Sequence, residues 1–184
     1  MLASRSVRRA DLLSRAGFRF DVVPADIDER PHPEEPPAVL VRRLAREKAA
    51  AVALSHPDAV VLGADTLVVA GGTIFGKPVD AGDATTMLRR LSGQTHDVLT
   101  GVAVHTPTGW RDDVASTRVV FRELHEVEID WYVASEEPLG KAGAYAIQGL
   151  ASRFVTRIDG SYTNVVGLPI EVVDRMLREL SSPA

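Results

Sequence analysis

The run Ala59–Val69 is apolar at almost every position, yet it carries a carboxylate at Asp65 before the chain reaches Gly71-Gly72. A near-continuous run rich in Val and Leu suits a strand covered on both faces, as in the interior of an α/β sheet. An ionised Asp there is costly unless a partner or a cation compensates it. Asp65 either closes the strand and caps a turn, or stands at an active-site wall where it holds a metal or activates water. Leu67-Val68-Val69 resumes the apolar run, so the chain does not turn at Asp65, which favours the second reading.

Gly71-Gly72 reads as a hairpin turn into a second strand, Thr73-Ile74-Phe75, and that return would bring Lys77 beside Asp65. A carboxylate next to a lysine suits phosphate chemistry, one for metal or water and one for the anion. Gly71 through Gly76-Lys77 also has the spacing of a P-loop. That motif is excluded, because Pro78 stands where its Mg²⁺-binding Ser or Thr belongs, and because the motif needs a strand before it and a helix directly after, whereas Thr73-Ile74-Phe75 within it reads as a second strand.

Bulk properties limit the alternatives. A chain of 184 residues holds one domain with a full core, or two small lobes sharing one. A net charge of -4 argues against a protein that coats nucleic acid through a broad basic face. With only 5% aromatic residues, a single-stranded RNA module with stacking platforms is disfavoured too. There is no cysteine, so disulfides, thiolate zinc sites and thiol nucleophiles are excluded. His32, His56, His96, His105 and His125 are scattered without metal-binding spacing and each reads as a surface or loop residue. No apolar run is long enough to span a membrane. The Arg- and Ser-rich start lacks the apolar core of a secretory signal, so it reads as part of the fold of a cytoplasmic protein.

In chain order, Met1–Ser4 reads as a strand stub, followed by a helix with Ser6 as N-cap and Gly17 as C-cap. Arg8 and Arg9 at that helix start oppose the macrodipole; they are either solvated or matched by an anion such as phosphate. Phe18–Val23 reads as a strand, and Pro24–Pro37 as a loop whose Asp26, Asp28 and Glu29 offer a metal ligand. Helices are expected over Pro36–Leu54, Asp80–Leu91 and Glu126–Ser135, with strands Gln94–Thr106 and Trp110–Phe121 around the turn Pro107-Thr108-Gly109. The basic residues of the Pro36–Leu54 helix read mainly as a solvated face.

Pro138–Gly149 is a Gly-rich loop in which Gln148 offers both donor and acceptor to a base or ribose edge, although an ordinary loop remains an equal reading. A strand Phe154–Ile158, a turn at Asp159–Tyr162, a loop Thr163–Pro169 and a final helix to Leu180 complete the chain. Ser181–Ala184 is expected to fray. The whole inventory is that of a nucleotide phosphate site without a P-loop. With no activated nucleophile in sight, attack by a metal-activated water is the simplest chemistry.

Seven blocks along the chain carry a resemblance. They are Leu-Ala-Ser-x-Ser-x-Arg-Arg at 2–9, Arg-Leu-Ala-Arg-Glu-Lys at 43–48, Gly-Ala-Asp-Thr at 63–66, Gly-Lys-Pro at 76–78, Leu-Ser-Gly-Gln-Thr-His at 91–96, Lys-Ala-Gly-Ala-Tyr-Ala-Ile-Gln-Gly at 141–149 and Asn-Val-Val-Gly-Leu-Pro at 164–169. In this order the chain resembles the Maf family of nucleoside triphosphate pyrophosphatases over residues 1–184 as one domain. The resemblance implies an α/β fold related to inosine triphosphatase, with a mixed elongated sheet flanked by helices and two lobes around a central cleft. It implies hydrolysis of a nucleoside triphosphate to monophosphate and pyrophosphate with a divalent cation, Mg²⁺ or Mn²⁺, in a homodimer.

Carried over by position, Asp65 is the proton acceptor for the attacking water, and Glu29 and Asp65 are the metal-side carboxylates. Ser4, Arg8, Arg9, Lys48 and Lys77 contact phosphates, whereas Arg8, Thr66 and Gln148 occupy positions that separate substrate branches, Thr66 and Gln148 resembling the dTTP/UTP branch. The chain departs from the pattern at Arg5-Ser6-Val7, where the family has Gly-Ser-Pro, and its first strand is shorter, which raises the expectation that the true start lies upstream. A nucleotide-binding regulator of septation with incidental catalysis is the competing reading.

Overall fold

The computed structural model describes residues 1–181. It is a mixed α/β structure with a six-stranded sheet flanked by helices, as the sequence suggests. The strands are β1 (Leu2–Ala3), β2 (Val61–Ala70), β3 (Thr73–Phe75), β4 (Thr95–Thr106), β5 (Gly109–Phe121) and β6 (Val155–Asp159). Their order is β1-β2-β4-β5-β6, with β3 paired to β2. The helices are α1 (Val7–Arg15), α2 (Pro37–Ala53), α3 (Ala81–Leu91), α4 (Glu126–Ala134), α5 (Tyr162–Val166) and α6 (Ile170–Ser181). Among the described residues no helix is long and apolar enough to cross a membrane. The chain divides into two compact units, one of Met1–Thr66, Thr100–Ala115 and the segment from Gly167 on, the other of Leu67–Leu99 and Ser116–Val166.

The first unit is built on close approach between a helix and strands. β1 runs parallel to β2 with Leu2 opposite Leu62 and Ala3 opposite Gly63. Ala3, Ala45, Ala49, Val52, Val61 and Ala103 form a core of small side chains. A Cβ on Gly63 would lie 2.2 Å from the Ala45 carbonyl oxygen, and one on Gly101 would lie 2.1 Å from that of Val41. These two strand glycines therefore form notches that seat the backbone of α2, the use expected of Gly inside a strand. The entry to α1 follows the sequence signal: Ser6 Oγ accepts from the Arg9 backbone N–H, and Gly17 follows the helix at φ 85°.

The second unit has a larger, aromatic core. Val68, Phe75, Leu88, Leu91, Val98, Val119, Phe121, Ile129, Tyr132, Tyr145 and Phe154 belong to one buried cluster. β6 pairs antiparallel with β5, Arg118 opposite Asp159, with an irregularity between Val120 and Phe121. α3 starts at the expected cap, Asp80 Oδ1 accepting from the Asp83 N–H at 2.8 Å.

Three expectations are corrected. Phe18–Val23 is not a strand; only Val22 bridges to Leu2, because β1 offers just two residues as a partner. Within Thr163–Pro169 the chain begins as helix α5, held by buried Asn164, whose Nδ2 donates to the Val98 carbonyl and to Thr117 Oγ1. His96 is not a surface residue: it is 1% exposed and packs edge-on against Phe121 and Tyr145. Of the expected frayed end, Ser182–Ala184 lies outside the described residues.

Candidate active site

Strand alternation sets the first part of the site. Side chains two apart on β2 share a face, so Asp65 projects to the same side as Gly63, toward α2. On α2, Lys48 follows Leu40 and Leu44 at four-residue steps, on the stripe that meets the sheet. The notch at Gly63 brings the two together, and Lys48 Nζ donates to Asp65 Oδ1 at 2.6 Å. Lys48 is 7% exposed and Asp65 8%. The same ammonium lies 2.7 Å from Glu29 Oε1, whose side chain is about half exposed. One buried ion pair thus carries a second carboxylate on its wetter side. The lysine that meets Asp65 is Lys48 of α2.

The acidic loop divides its carboxylates. Glu29 alone reaches Lys48. Asp28 accepts from Arg30, which holds its carboxyl down to about 2, and Asp26 is 3.7 Å from Arg5 with both side chains exposed. Asp28, Arg30, His32, Arg43 and Glu47 line a pocket of about 410 Å³ in this unit. Its arginines are committed, Arg30 to Asp28 and Arg43 to Glu35 and Glu47.

Arg9 organises the other face of β2. Its Nε donates to the Gly167 carbonyl at 2.8 Å, Nη1 to the Ala64 carbonyl at 2.8 Å and to Ser4 Oγ at 3.3 Å, and Nη2 to Thr66 Oγ1 at 3.0 Å. Burial pulls the guanidinium below its ordinary value, with the nearby carboxylate of Asp65 opposing that shift. Ser4 Oγ also accepts from the Ser6 N–H, while the Thr66 hydroxyl meets Thr100 Oγ1 at 2.9 Å. Ser4, Arg9 and Thr66 are therefore brought together in one buried network, and Arg8 lies half-buried beside it on α1.

Lys77 and Gln148 belong to the second unit. Both are exposed. Their segments are joined by a hydrogen bond from the Gly143 N–H to the Gly76 carbonyl at 3.0 Å. Gly143, at φ 68°, packs so tightly on Val68 that a Cβ would approach its side chain to 2.9 Å.

Two groups of residues that shape these sites escaped the sequence reading. Gly63 and Gly101 are visible in hindsight, since a glycine inside a strand signals close backbone approach. Tyr132 and Glu137, which grip the segment around Gln148, carry no such local signal.

Comparisons agree with the resemblance drawn from the motif blocks. The family model described as Maf-like protein matches residues 1–180. A dTTP/UTP pyrophosphatase of Anaeromyxobacter dehalogenans (strain 2CP-C) is 52% identical over 187 residues, which covers 100% of this chain and 94% of that protein. One of Geobacter sulfurreducens is 53% identical over 181 residues, covering 97% of this chain and 95% of the relative. Another, of Hahella chejuensis, is 52% identical over 182 residues, with 97% and 90% covered.

Proposed function

The chain belongs to the Maf family, and we propose that it is a nucleoside triphosphate pyrophosphatase, a hydrolase acting on acid anhydrides, with dTTP and UTP as substrates. Modified pyrimidine triphosphates belong to the same substrate class. The observation that carries this reading is the Glu29–Lys48–Asp65 cluster: a buried carboxylate on a central strand, paired to a lysine and flanked by a second carboxylate. The names of full-length relatives at about half identity supply the nucleotides.

In this mechanism Asp65 accepts a proton from a water whose oxygen attacks the α-phosphorus. The bond between that phosphorus and the α,β-bridging oxygen breaks, and the electron pair leaves on pyrophosphate. The nucleoside monophosphate is the other product. Lys48 balances the Asp65 charge and meets developing negative charge on the phosphates. Arg8 and Lys77 are further phosphate-binding cations. Arg9 commits four donated bonds to Ser4, Ala64, Thr66 and Gly167. Of its five N–H groups one is left for an anion, so Arg9 and Ser4 act chiefly by shaping the phosphate loop.

A divalent cation fits the donors present. Glu29 and Asp65 already converge on one cationic centre, at 2.7 and 2.6 Å, and hard carboxylate oxygens suit Mg²⁺ or Mn²⁺. Among the described residues no cluster of three or more His, Cys, Asp or Glu offers a complete cage. Mg²⁺ is commonly held by one or two carboxylates that share the ion with water and substrate phosphates. Such an ion would neutralise charge between the carboxylates and the triphosphate. The proposed setting is a cytoplasmic homodimer.

The test is pyrophosphate release from dTTP, UTP, 5-methyl-UTP, CTP, GTP and 7-methyl-GTP with Mg²⁺ or Mn²⁺, for wild type and Asp65→Asn. Turnover is expected on dTTP and UTP. It should fall about 10²- to 10⁴-fold in the variant, the range of a lost general base, while nucleotide binding persists. Absence of release from every triphosphate, with tight binding that survives Asp65→Asn, would overturn the enzyme reading in favour of the septation regulator.

A further inference from the structure

Gln148 sits at the tip of a turn closed by the Gly149 N–H donating to the Ala146 carbonyl at 3.0 Å. A protruding glutamine does not by itself distinguish bases. Uracil and thymine present N3–H beside a carbonyl, whereas cytosine presents a bare N3 beside an amino group. A carboxamide can serve either pattern by rotating, so the distance and angle at which its backbone presents it help decide which pattern it meets.

The structure holds that backbone from both sides. On the amino-terminal side the Ala146 N–H donates to the Tyr132 hydroxyl at 3.2 Å. On the carboxy-terminal side the Leu150 N–H donates to Glu137 Oε2 at 3.0 Å and the Ala151 N–H to Glu137 Oε1 at 3.4 Å. The two grips are one unit, because the Tyr132 hydroxyl itself donates to Glu137 Oε1 at 3.0 Å. Glu137 also occupies the start of the short 3₁₀ segment Leu150–Arg153, where exposed N–H groups favour a carboxylate.

Local geometry leaves this arrangement little freedom. A Cβ on Gly149 would meet Glu137 Oε2 at 2.2 Å, so only glycine lets the carboxylate in. Tyr132 is fully buried and packs edge-on against Phe154. Burial and the neighbouring Glu137 push its phenol far above the ordinary range, so it remains a hydroxyl able to donate. Ala144, two residues before Ala146, adopts φ 57°. That left-handed conformation is unfavourable for a non-glycine residue and persists where the surroundings enforce it. Gln148 is thus an exposed side chain on a backbone fixed two residues to either side.

We infer that Tyr132 and Glu137 are positioning residues that fix the backbone from which the Gln148 carboxamide meets the base and so set the choice between uracil or thymine and cytosine; this rests on the reading of Gln148 as the base-facing residue of a pyrophosphatase. Tyr132→Phe removes the hydroxyl that joins the two grips, and Glu137→Gln replaces one carboxylate oxygen by a donor. Each should lower the ratio of kcat/KM for UTP over CTP about tenfold, the scale of one lost hydrogen bond to a charged group. The change should appear in KM more than in kcat. In a Gln148→Ala background neither substitution should alter the ratio further. A residue that merely supported the fold would depress both substrates alike.

Kinetics with UTP, dTTP and CTP on wild type, the three single variants and the two double variants, with thermal melting of each, separate the possible failures. No pyrophosphate release from wild type overturns the enzyme reading and the inference with it. Unchanged selectivity in Gln148→Ala overturns the base-facing role. Selectivity lost in Gln148→Ala but kept in Tyr132→Phe and Glu137→Gln overturns the positioning role alone. Should Tyr132→Phe fail to fold, Glu137→Gln decides the same question.

Discussion

Substituting Gly63 by Ala tests whether close packing sets the active-site geometry. The added methyl would lie 2.2 Å from the Ala45 carbonyl oxygen and 2.8 Å from the Ala49 nitrogen, both main-chain atoms of α2. No rotamer change can relieve a clash with backbone. Restoring ordinary contact requires α2 and β2 to separate by roughly 1 Å. Overpacking of this kind costs about 3 kcal/mol, which for a chain of this size lowers the melting temperature by roughly 10 °C.

The catalytic consequence is larger than the thermal one. Ala45 and Ala49 flank Lys48, whose Nζ is 2.6 Å from Asp65, and a misplacement of about 1 Å costs on the order of 10²-fold in rate. Gly101→Ala is the matched comparison, because its methyl would press on Val41 and Arg42, two turns earlier on α2. Both variants should melt early in differential scanning calorimetry, but pyrophosphate release at a temperature where each is folded should fall further in Gly63→Ala. A Gly63→Ala protein with wild-type melting and turnover would refute the claim that the notch sets the Lys48–Asp65 distance.

Two further outcomes are expected. Arg9→Lys should destabilise by about 2–4 kcal/mol in urea titration, since an ammonium cannot span the fork to Gly167, Ala64 and Thr66 and leaves buried carbonyls unpaired; an unchanged midpoint would refute it. Burial lowers His96 from 6.5 to about 4, so on acidification the unfolded chain takes up this proton first. The stability due to the neutral ring is complete above pH 6.5 and is lost between 6.5 and about 4, at up to about 1.4 kcal/mol per pH unit. Urea midpoints between pH 6.5 and 4.5 should therefore fall less steeply for His96→Gln than for wild type, and equal slopes would refute the assignment.

Much of the site was legible in the sequence where a residue contradicted its surroundings. Asp65 stands out because a carboxylate interrupts a buried run, and Ser6 and Asp80 announce helix starts through the chemistry of their side chains. His96 was equally legible and was misread: Val98, Thr100, Val102 and Val104 mark one buried face of β4, and the same alternation extended back two residues reaches His96. Lys48 stood out only through the family resemblance, and its own surroundings concealed it for the opposite reason. Its helix carries Arg42, Arg43 and Arg46, and a fourth basic residue reads as one more solvated charge unless its four-residue steps from Leu40 and Leu44 are followed. Glu137 could not be found by any local rule, because its partners at 132, 150 and 151 come together only through the turn after α4.

β2 shows why register matters more here than any single contact. Its consecutive residues Asp65 and Thr66 serve opposite faces, and each face is served by a different buried cation, Lys48 from α2 and Arg9 from α1. A slip of one residue would exchange the faces, turning Asp65 toward the carbonyl-bonding arginine and Thr66 toward Lys48. The pairing that prevents this joins β2 to β4 along one edge and, more briefly, to β1 on the other, Leu2 with Leu62 and Ala3 with Gly63. It is reinforced on one side by the glycine notch that admits only the observed face to α2, and on the other by the guanidinium that ties Ala64 to Gly167. The position of the Asp65 carboxylate follows from that register together with the small residues facing α2.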